Sequence, residues 1–424
     1  MFVLIFVKGG VTGADTATTI RAVIMAIILI AAGGLLLAIF WTPAKFFAII
    51  IKEVIKLRSG KIIFMAGGGA QEVGASCYFL KLGENNLLLD CGCGLTRGIK
   101  FAPNFNALLQ TPYLQDFHQI SHVVISHAHL DHAAALPDFL QLNERAAVYM
   151  TDLTREILSA QLEERFAQIE GNISSVAFLQ KIPLPNMSIS FHQAGHIPGA
   201  MMTLINFRGK NILYTGDYST FPTQLVGAAL LPDIKIDILI LCGLHARHPN
   251  YQRFGDSDAA LKKILRKIYY ALKHGKSVYC QVTQISKGVE LITLINKFLP
   301  QAEIFIDERV MKIVHRFENL HIPIMREQNH PLSTFPRPPC VILSTKPPPV
   351  YSGLEILNGD FSLHDDFTAT VDFVRRVNPK TCVVVHSPPD KFFREGTTLE
   401  QVLINDPDSR TGFIFPKTSE PFEL

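Results

Sequence analysis

The sequence predicts a layered α/β protein preceded by one membrane-spanning helix. From residue 61 onward, short apolar runs that end in turn residues alternate with longer stretches of helical periodicity, which is typical of packed α and β layers. Before that point, twenty consecutive residues are apolar or glycine. The chain has 424 residues, of which 48% are hydrophobic and 18% charged. It can therefore build two or three domains and is neither a disordered chain nor a disulfide scaffold.

The N-terminal segment predicts a membrane anchor over residues 22–41. No charged residue lies between Arg21 and Lys45, and about 20 apolar residues suffice for a helix to cross the hydrocarbon core. A cleaved signal peptide and a buried core helix are the alternatives. Two basic residues precede the span and five follow it up to residue 61. The positive-inside rule therefore predicts a single-pass protein whose body faces the cytoplasm, with residues 1–60 forming the anchor and a basic amphipathic linker.

The remaining chain predicts alternating strands and helices. Helices are expected over 133–142, 153–170 and 258–275, the last of them basic. The proline-rich stretch 331–350 is expected to form irregular loops. Runs of β-branched, aromatic and other apolar residues between turn signals predict strands at 61–65, 76–82, 86–90, 123–126, 187–192, 211–215, 236–241, 279–282, 303–307, 383–386 and 412–416.

A metal site is predicted between the strand at 123–126 and the helix that follows. The connecting residues are Ser126-His127-Ala128-His129-Leu130-Asp131-His132, and imidazole and carboxylate are ligands of zinc and similar divalent ions. Four such groups within six residues exceed what one catalytic zinc with an open position uses. The sequence therefore predicts two metal ions that share these groups with distant residues. The seven cysteines show no C-x-x-C spacing, so they indicate neither a zinc knuckle nor a disulfide framework.

Three further polar residues stand at the ends of apolar runs: His196, Asp217 and His386. Each of them alone is typical of a turn or cap. Loops at one end of a sheet collect functional groups, so the three together with the histidine-rich loop predict one composite site.

This set of motifs resembles the metallo-beta-lactamase superfamily. The resemblance rests on the histidine-rich loop, His196 and Asp217, together with Asp90 at the end of Leu87-Leu88-Leu89. More narrowly, the chain resembles the beta-CASP nucleases, which include ribonuclease J and the endonuclease subunit of the cleavage and polyadenylation machinery. That match covers roughly residues 62–424 and rests on the stretches 68–74, 214–219 and 361–366 and on the strand that ends at His386.

The resemblance implies an αββα metallo-beta-lactamase sandwich, formed by residues 61–240 and 361–424, with a small α/β beta-CASP-like domain inserted at 241–360. It implies two zinc ions; manganese also suits such ligands. One ion would be held by His127, His129 and His196 and the other by Asp131, His132 and His386, with Asp217 bridging. Asp90 would orient a ligand histidine. His364 would be the general acid, acting with Asp131 and Asp217 in catalysis.

The sequence departs from the beta-CASP pattern at Cys242. The family usually places there a carboxylate that pairs with the histidine corresponding to His364. Asp365 and Asp366 are alternative partners for that histidine. His245 and His248 are interpreted as surface histidines, with phosphate contact or metal ligation as the alternative.

The charge distribution favours a polyanionic substrate. Residues 247–346 contain sixteen basic and eight acidic residues, whereas the rest of the chain after residue 61 is acidic overall. Such a basic insert facing a metal-bearing domain suits a phosphodiester backbone. A solvated helix face is the alternative for the cations expected to bind substrate, which are Lys262, Lys263, Arg266 and Lys267.

These observations predict a membrane-tethered dinuclear-zinc hydrolase that cleaves phosphodiester bonds. RNA is the favoured substrate and DNA the alternative. A small-molecule hydrolase with the same two metals is a rival, because one fold supports many chemistries. A nucleic-acid-binding scaffold with weakened catalysis is a second rival, which the cysteine at position 242 motivates.

Overall fold

The computed structural model describes residues 60–96, 98–248, 257–334, 336–348, 353–358, 361–389 and 398–424. The predicted membrane span at 22–41 and nearly all of the basic linker lie outside these residues. Within the described ranges, no helix combines the length and the apolar character needed to cross a bilayer.

The first sheet has seven strands and begins with a hairpin of apolar residues. Its strands are β1 (Ile62–Gly68), β2 (Cys77–Leu82), β3 (Asn85–Leu89), β6 (His122–Val124), β7 (Ala147–Met150), β8 (Ile173–Ser175) and β21 (Phe422–Glu423). They lie in the order β21-β1-β2-β3-β6-β7-β8. A separate hairpin follows β3 and consists of β4 (Gly94–Thr96) and β5 (Ile99–Phe101).

The second sheet also has seven strands, in the order β20-β19-β13-β12-β11-β10-β9. They are β9 (Lys181–Leu184), β10 (Met187–Gln193), β11 (Met201–Phe207), β12 (Lys210–Tyr214), β13 (Ile238–Cys242), β19 (Thr381–Val385) and β20 (Gly412–Ile414). The strands β12, β13 and β19 are parallel. Their carboxyl ends therefore meet at one edge of the sheet, where Asp217 and His386 follow β12 and β19.

The two sheets pack face to face because alternate strand residues point to opposite faces. Phe64 and Tyr78 of the first sheet share one buried apolar cluster with Phe191, Ile240 and Val385 of the second. The outer faces are covered by helices. Those that precede β9 are α1 (Phe105–Leu109), α2 (Leu130–Ala133), α3 (Leu136–Leu142), α4 (Asp152–Leu162) and α5 (Glu164–Ala167).

A third, wholly parallel sheet is inserted between β13 and β19. Its strands are β14 (Ser277–Gln281), β15 (Ile304–Ile306), β16 (Asn329–Pro331), β17 (Val341–Ser344) and β18 (Leu354–Asn358), in the order β16-β15-β17-β14-β18. The helices of this insert are α6 (Ser257–Lys273), α7 (Lys287–Phe298) and α8 (Glu308–Asn319). The chain then returns to the sandwich through α9 (Phe367–Val377) and β19, and α10 (Leu399–Ile404) follows.

The expectation of irregular loops over 331–350 is wrong for its central part. β17 lies there and is the middle strand of the third sheet. Val341, Ile342 and Leu343 form a buried apolar run that pairs on both sides. The prolines lie on either side of this run, where their missing N–H groups cost no hydrogen bond of the sheet. A prediction from proline content alone therefore misses the short central strand.

Candidate metal centre

The histidine-rich loop is held in place by the backbone of neighbouring strand ends. The N–H of Ser76 donates to the carbonyl of Asp131 at 3.0 Å, and that of Cys91 donates to the carbonyl of His132 at 2.8 Å. A Cβ atom on Gly92 would lie 1.7 Å from the Asp131 carbonyl oxygen, so this approach requires glycine. These contacts hold the loop so that it presents four side chains to the same space.

The first group of ligand atoms comes from His127, His129, His196 and Asp217, and all four lie within 4.8 Å of one another. Nδ1 of His129 lies 3.0 Å from Nε2 of His127 and 3.1 Å from Nε2 of His196. Oδ2 of Asp217 lies 3.8 Å from both of those Nε2 atoms. The structure thus brings together four residues that are up to 90 positions apart in the chain.

The second group consists of Asp131, His132 and His386, again within 4.8 Å. Oδ2 of Asp131 lies 3.8 Å from Nε2 of both histidines. Oδ1 of Asp217 lies 3.4 Å from Nε2 of His132, while the other oxygen of Asp217 faces the first group. One carboxylate therefore stands between two candidate metal positions.

Asp90 belongs to neither group of ligand atoms but orients the ligand histidines through hydrogen bonds. Its carboxylate accepts hydrogen bonds from the Ser126 backbone N–H at 2.6 Å and the Ser126 hydroxyl at 2.7 Å. It also accepts from the Tyr214 hydroxyl at 2.5 Å and from Nδ1 of His132 at 2.7 Å. A histidine whose Nδ1 donates in this way presents the lone pair of Nε2 to the site.

The same tautomer follows for two other histidines. Nδ1 of His196 donates to the Leu363 carbonyl at 2.9 Å. Nδ1 of His127 lies 2.9 Å from the Ser126 hydroxyl oxygen, which accepts from it because its own proton goes to Asp90. The Nε2 atoms of three histidines therefore face the ligand groups, where each can bind a metal ion in the neutral form of its ring.

Such an arrangement fits divalent cations. Among the described residues, Nε2 of His132 and Oδ1 of Asp217 are buried and have no hydrogen-bond partner. Buried polar atoms without a partner are costly, and a metal ion between them would satisfy both. Imidazole nitrogen and carboxylate oxygen are ligands of zinc and manganese alike, so the donor set suits a metal without selecting one.

Burial and charge prepare the ligands for metal binding. Burial lowers the pKa of His129 to about 4 and lowers the pKa values of His127 and His196 as well. Burial would also lower the pKa of His132, but Asp217, Asp131 and Asp90 raise it to about 10. Burial opposes ionisation of Asp217, yet the histidines around it, His132 and His386 first, hold its pKa well below the usual range. Without metal, the carboxylates therefore keep His132 protonated, and a divalent cation would displace that proton and neutralise the same negative charge.

Backbone strain accumulates at the same place. Asp90, His196 and His386 have φ values of 60°, 59° and 52°, a region that residues other than glycine rarely adopt. All three follow strands directly or closely. Strain of this kind persists where the surrounding structure imposes it and clusters at functional sites.

His364 lies over the first group. Its ring centroid is 4.4 Å from that of His196, and its Nδ1 is 3.7 Å from Oδ2 of Asp217. Burial and the neighbouring His196 lower the pKa of His364 well below its ordinary value.

The acids next to His364 in sequence are engaged elsewhere. Asp365 accepts from the N–H and hydroxyl of Thr220 at 2.7 and 2.8 Å, and Asp366 caps α9 by accepting from Ala369 N–H at 2.9 Å. At the end of β13, the Sγ of buried Cys242 lies 3.7 Å from the Tyr214 hydroxyl oxygen. Asp365 and Asp366 therefore stabilise the segment through which the chain returns from the insert to the sandwich.

A cleft of about 580 Å³ opens above the metal groups. His129, Asp131 and His196 line its sandwich side, and Thr283, Ser286 and Lys287 of the insert line the other. The interpretation of His245 as a surface histidine is wrong: it is buried, 8% exposed, and lines this cleft. Its ring centroid lies 6.4 Å from that of His364.

Gln161 of α4 also lines the cleft, and its buried amide oxygen has no hydrogen-bond partner among the described residues. Sequence reasoning missed this residue and misplaced His245, because no motif surrounds either of them.

The four predicted substrate-binding cations lie on the exposed side of α6. None of them is among the residues that line the cleft. The structure therefore places Lys262, Lys263, Arg266 and Lys267 on the outer surface of the insert.

Comparison with known proteins agrees with this geometry. Residues 85–258 match the family model described as "Beta-lactamase superfamily domain". The chain is 30% identical over 275 residues to "Probable RNase MJ4" of Methanocaldococcus jannaschii, covering 60% of each chain. It is 29% identical over 255 residues to "Integrator complex subunit 11" of Danio rerio, covering 54% of this chain and 41% of that one. It is 29% identical over 269 residues to "Endoribonuclease YSH1" of Gibberella zeae, covering 57% and 30%.

These matches confirm the expected similarity to the superfamily over residues 85–258, and they show similarity to proteins whose names describe ribonucleases. The chain spans between 30% and 63% of the length of the curated relatives it matches. A crystal structure of a protein of unknown function from Enterococcus faecalis V583 superposes with a TM-score of 0.61 at 12% identity, covering 86% of this chain and 100% of that one. That similarity concerns the fold.

Proposed function

We propose that this chain hydrolyses phosphodiester bonds of RNA with two divalent metal ions, zinc in the first place, and the match of residues 85–258 to a beta-lactamase superfamily model supports this. The observation that carries the proposal is Asp217, whose two oxygens face two separate groups of ligand atoms at the floor of the cleft. The choice of RNA draws support from relatives whose names describe ribonucleases.

Different residues would have different roles in the proposed reaction. A pair of divalent ions in such a site supplies Lewis-acid activation of water and charge for the phosphate oxygens. The histidines and Asp131 would hold those ions, with Asp217 between them and Asp90 fixing the tautomer of His132. His364 would carry the proton for the leaving oxygen, since its ring faces the cleft beside His196. The negative charge of a bound phosphate would raise its lowered pKa and so favour the protonated ring. Lys287 and His245 line the same cleft and would bind the phosphate backbone.

The proposal is tested with zinc-loaded full-length protein on a panel of RNA substrates, with metal content measured on the same preparation. The wild type should bind two metal ions per chain and release RNA fragments. Asp217→Ala should lose metal and cleavage together. Asp116→Ala is the matched control, because Asp116 is an exposed carboxylate whose nearest partner is His118, and it should keep both.

Two results would contradict the proposal. Intact RNA with two bound metals would count against a nuclease, and turnover of a lactone or thioester under the same conditions would favour a small-molecule hydrolase. Tight RNA binding that survives His129→Ala without any product would favour the scaffold instead.

A tether to the membrane through residues 22–41 is a second part of the proposal. It rests on the twenty apolar residues and on the five cations that follow them. A reporter fused to the C-terminus should be protected from protease added outside intact cells and become accessible after lysis. Digestion of the reporter in intact cells would mean that the body of the protein faces outward. Release of the full-length protein from membranes without detergent would show that residues 22–41 do not anchor it.

A further inference from the structure

The exposed face of α6 combines cations and aromatic rings. Leu261, Ile264 and Ile268 are buried in the core of the insert. The opposite face carries Lys263, Arg266, Lys267, Lys273, Tyr269 and Tyr270, all of them exposed. No acidic residue occurs between positions 259 and 276. Since a helix rises 1.5 Å per residue, this surface runs for about 15 Å along the insert.

The two tyrosines are unusual for a face that serves only to keep the helix solvated. Their side chains are 46% and 58% exposed, and their ring centroids lie 5.5 Å apart. Nζ of Lys273 lies 6.0 Å from the centroid of Tyr269. Lysines alone would provide solubility, whereas two neighbouring rings leave apolar area in contact with water.

Cations and exposed rings on one face match single-stranded nucleic acid. Proteins that bind single-stranded nucleic acid contact its phosphates with a basic surface and stack its bases on aromatic side chains. The insert has twice as many basic as acidic residues over 247–346, so its field attracts a polyanion.

We propose that the exposed face of α6 is an RNA-binding surface outside the cleft. Tyr269 and Tyr270 stack on bases of a single-stranded segment, and Lys263, Arg266 and Lys267 contact its phosphates. This inference rests on the proposed function, because it assigns to the same substrate a second point of attachment. It also explains why these cations do not line the cleft: they bind RNA that lies beyond the cut site.

An anionic membrane surface is the competing partner, and the packing of α6 disfavours it. A helix that lies in the lipid headgroups inserts its apolar face, whereas the apolar face of α6 is already buried within the insert. Two tyrosines alone offer little area to a bilayer but offer two stacking platforms to bases.

The test measures binding of full-length protein to a labelled single-stranded RNA of about 20 nucleotides in EDTA, so that binding is separated from cleavage. Replacing Tyr269 and Tyr270 together by alanine should weaken binding at least about fivefold, the effect of one lost stacked base. The corresponding double phenylalanine variant keeps the rings and should bind like the wild type. Lys263→Glu with Arg266→Glu should weaken binding and flatten its salt dependence. Lys210→Glu, at the exposed start of β12, is the control and should have no effect.

Each outcome decides the matter. Wild-type affinity of the double alanine variant, at an unchanged melting temperature, would overturn the inference. So would loss of binding to phosphatidylserine vesicles in that variant with RNA affinity intact, since the partner would then be a membrane. If RNA binding depends on the tyrosines but the wild type never cleaves RNA with metal bound, the proposed function fails and the RNA-binding surface stands.

Discussion

Asp90 shows how a single residue that would touch no metal can control the centre. Its carboxylate accepts four hydrogen bonds, among them those from His132 and from the Ser126 hydroxyl that positions His127. It therefore orients one histidine of each ligand group. Partners of this kind commonly change metal affinity by 10- to 100-fold.

We expect Asp90→Asn to lower metal affinity by about 10- to 100-fold. The new amide group would turn an N–H donor toward groups that now donate to the Asp90 carboxylate. His132 would then lose the acceptor that fixes its tautomer. Competition titration of the apo-protein with a zinc chelator measures the change. Asp116→Asn provides the exposed control. An unchanged affinity in Asp90→Asn would show that the loop alone fixes the ligands.

Asp365 predicts a pH dependence of stability. Burial raises the pKa of its carboxyl to about 6, although the hydrogen bonds from Thr220 act in the opposite direction. The folded state thus binds this proton more tightly than the unfolded state, and the group's contribution to stability is lost as the pH rises toward and through about 6. Between about pH 4.5 and about pH 7.5, the wild type should lose roughly 2 kcal/mol relative to Asp365→Asn, which cannot ionise.

Urea unfolding of the two proteins at both pH values measures this difference. The same gap at both ends of the range would mean that Asp365 ionises in the folded protein as it does in water. Asp116→Asn serves again as the comparison, because the carboxylate of Asp116 is exposed.

At the residue scale, the ligand groups could be proposed from the sequence because their chemistry is local. Four potential ligands lie within six positions, and His196, Asp217 and His386 each follow an apolar run. His245 and Gln161 could not be placed, since only the tertiary structure brings them to the cleft. The hydrogen-bond partners of Asp365 and Asp366 could not be predicted either, because adjacency to His364 in the sequence does not determine where a side chain points.

At the scale of elements, the short helix α2 depends on contacts that a helix or strand alone cannot supply. The carbonyls of Asp131 and His132 within it receive N–H groups from Ser76, just before β2, and from Cys91, just after β3. Gly92 allows the chain to approach Asp131 without a side chain between them. The metal centre is therefore formed where three segments of backbone meet.

Gly92→Ala should damage both stability and metal binding. The added methyl group would overlap the Asp131 carbonyl, and overpacking of this severity costs roughly 3 kcal/mol or more. Denaturant unfolding and metal content of the purified protein report the two effects. Gly171→Ala, where a Cβ would meet nothing within 4 Å, should change neither. Equal behaviour of the two variants would mean that the loop can move without loss.

Sequence patterns predicted most elements but missed where they break. The helix expected over 153–170 ends at Leu162, because Glu163 adopts a φ of 50° before α5 begins. Nothing in the local sequence signals that break. The strands β11 and β7 were not predicted although both are largely buried, because a short apolar run fits a strand or a buried helix segment equally well until its neighbours are known.

At the scale of the whole molecule, charge is divided between the parts. The insert is basic, while the remainder of the chain after residue 61 is acidic. The metal groups lie on the sandwich side of the cleft, and Lys287 lies on the side formed by the basic insert. The surface of α6 belongs to the same insert but lies outside the cleft. Under the proposed function, the basic part would attract a polyanion and the acidic part would cut it.

RNA cleavage should therefore depend steeply on salt. Raising the salt from about 50 to about 200 mM should raise KM for RNA roughly 20-fold if three phosphates are neutralised. Hydrolysis of bis(p-nitrophenyl) phosphate, which is too short to span the cleft and α6, should change less than about twofold. Parallel salt responses of the two substrates would show that the basic insert does not hold the RNA.

The order of the ligands along the chain has a consequence for synthesis. The first potential ligand is residue 127 and the last is His386, beyond the whole insert, and the carbonyl that orients His196 belongs to Leu363. A nascent chain on the ribosome therefore carries an incomplete centre until residue 386 has been made and the insert has folded back onto the sandwich. Under the proposed function, the chain would not cleave RNA before that point in its own synthesis.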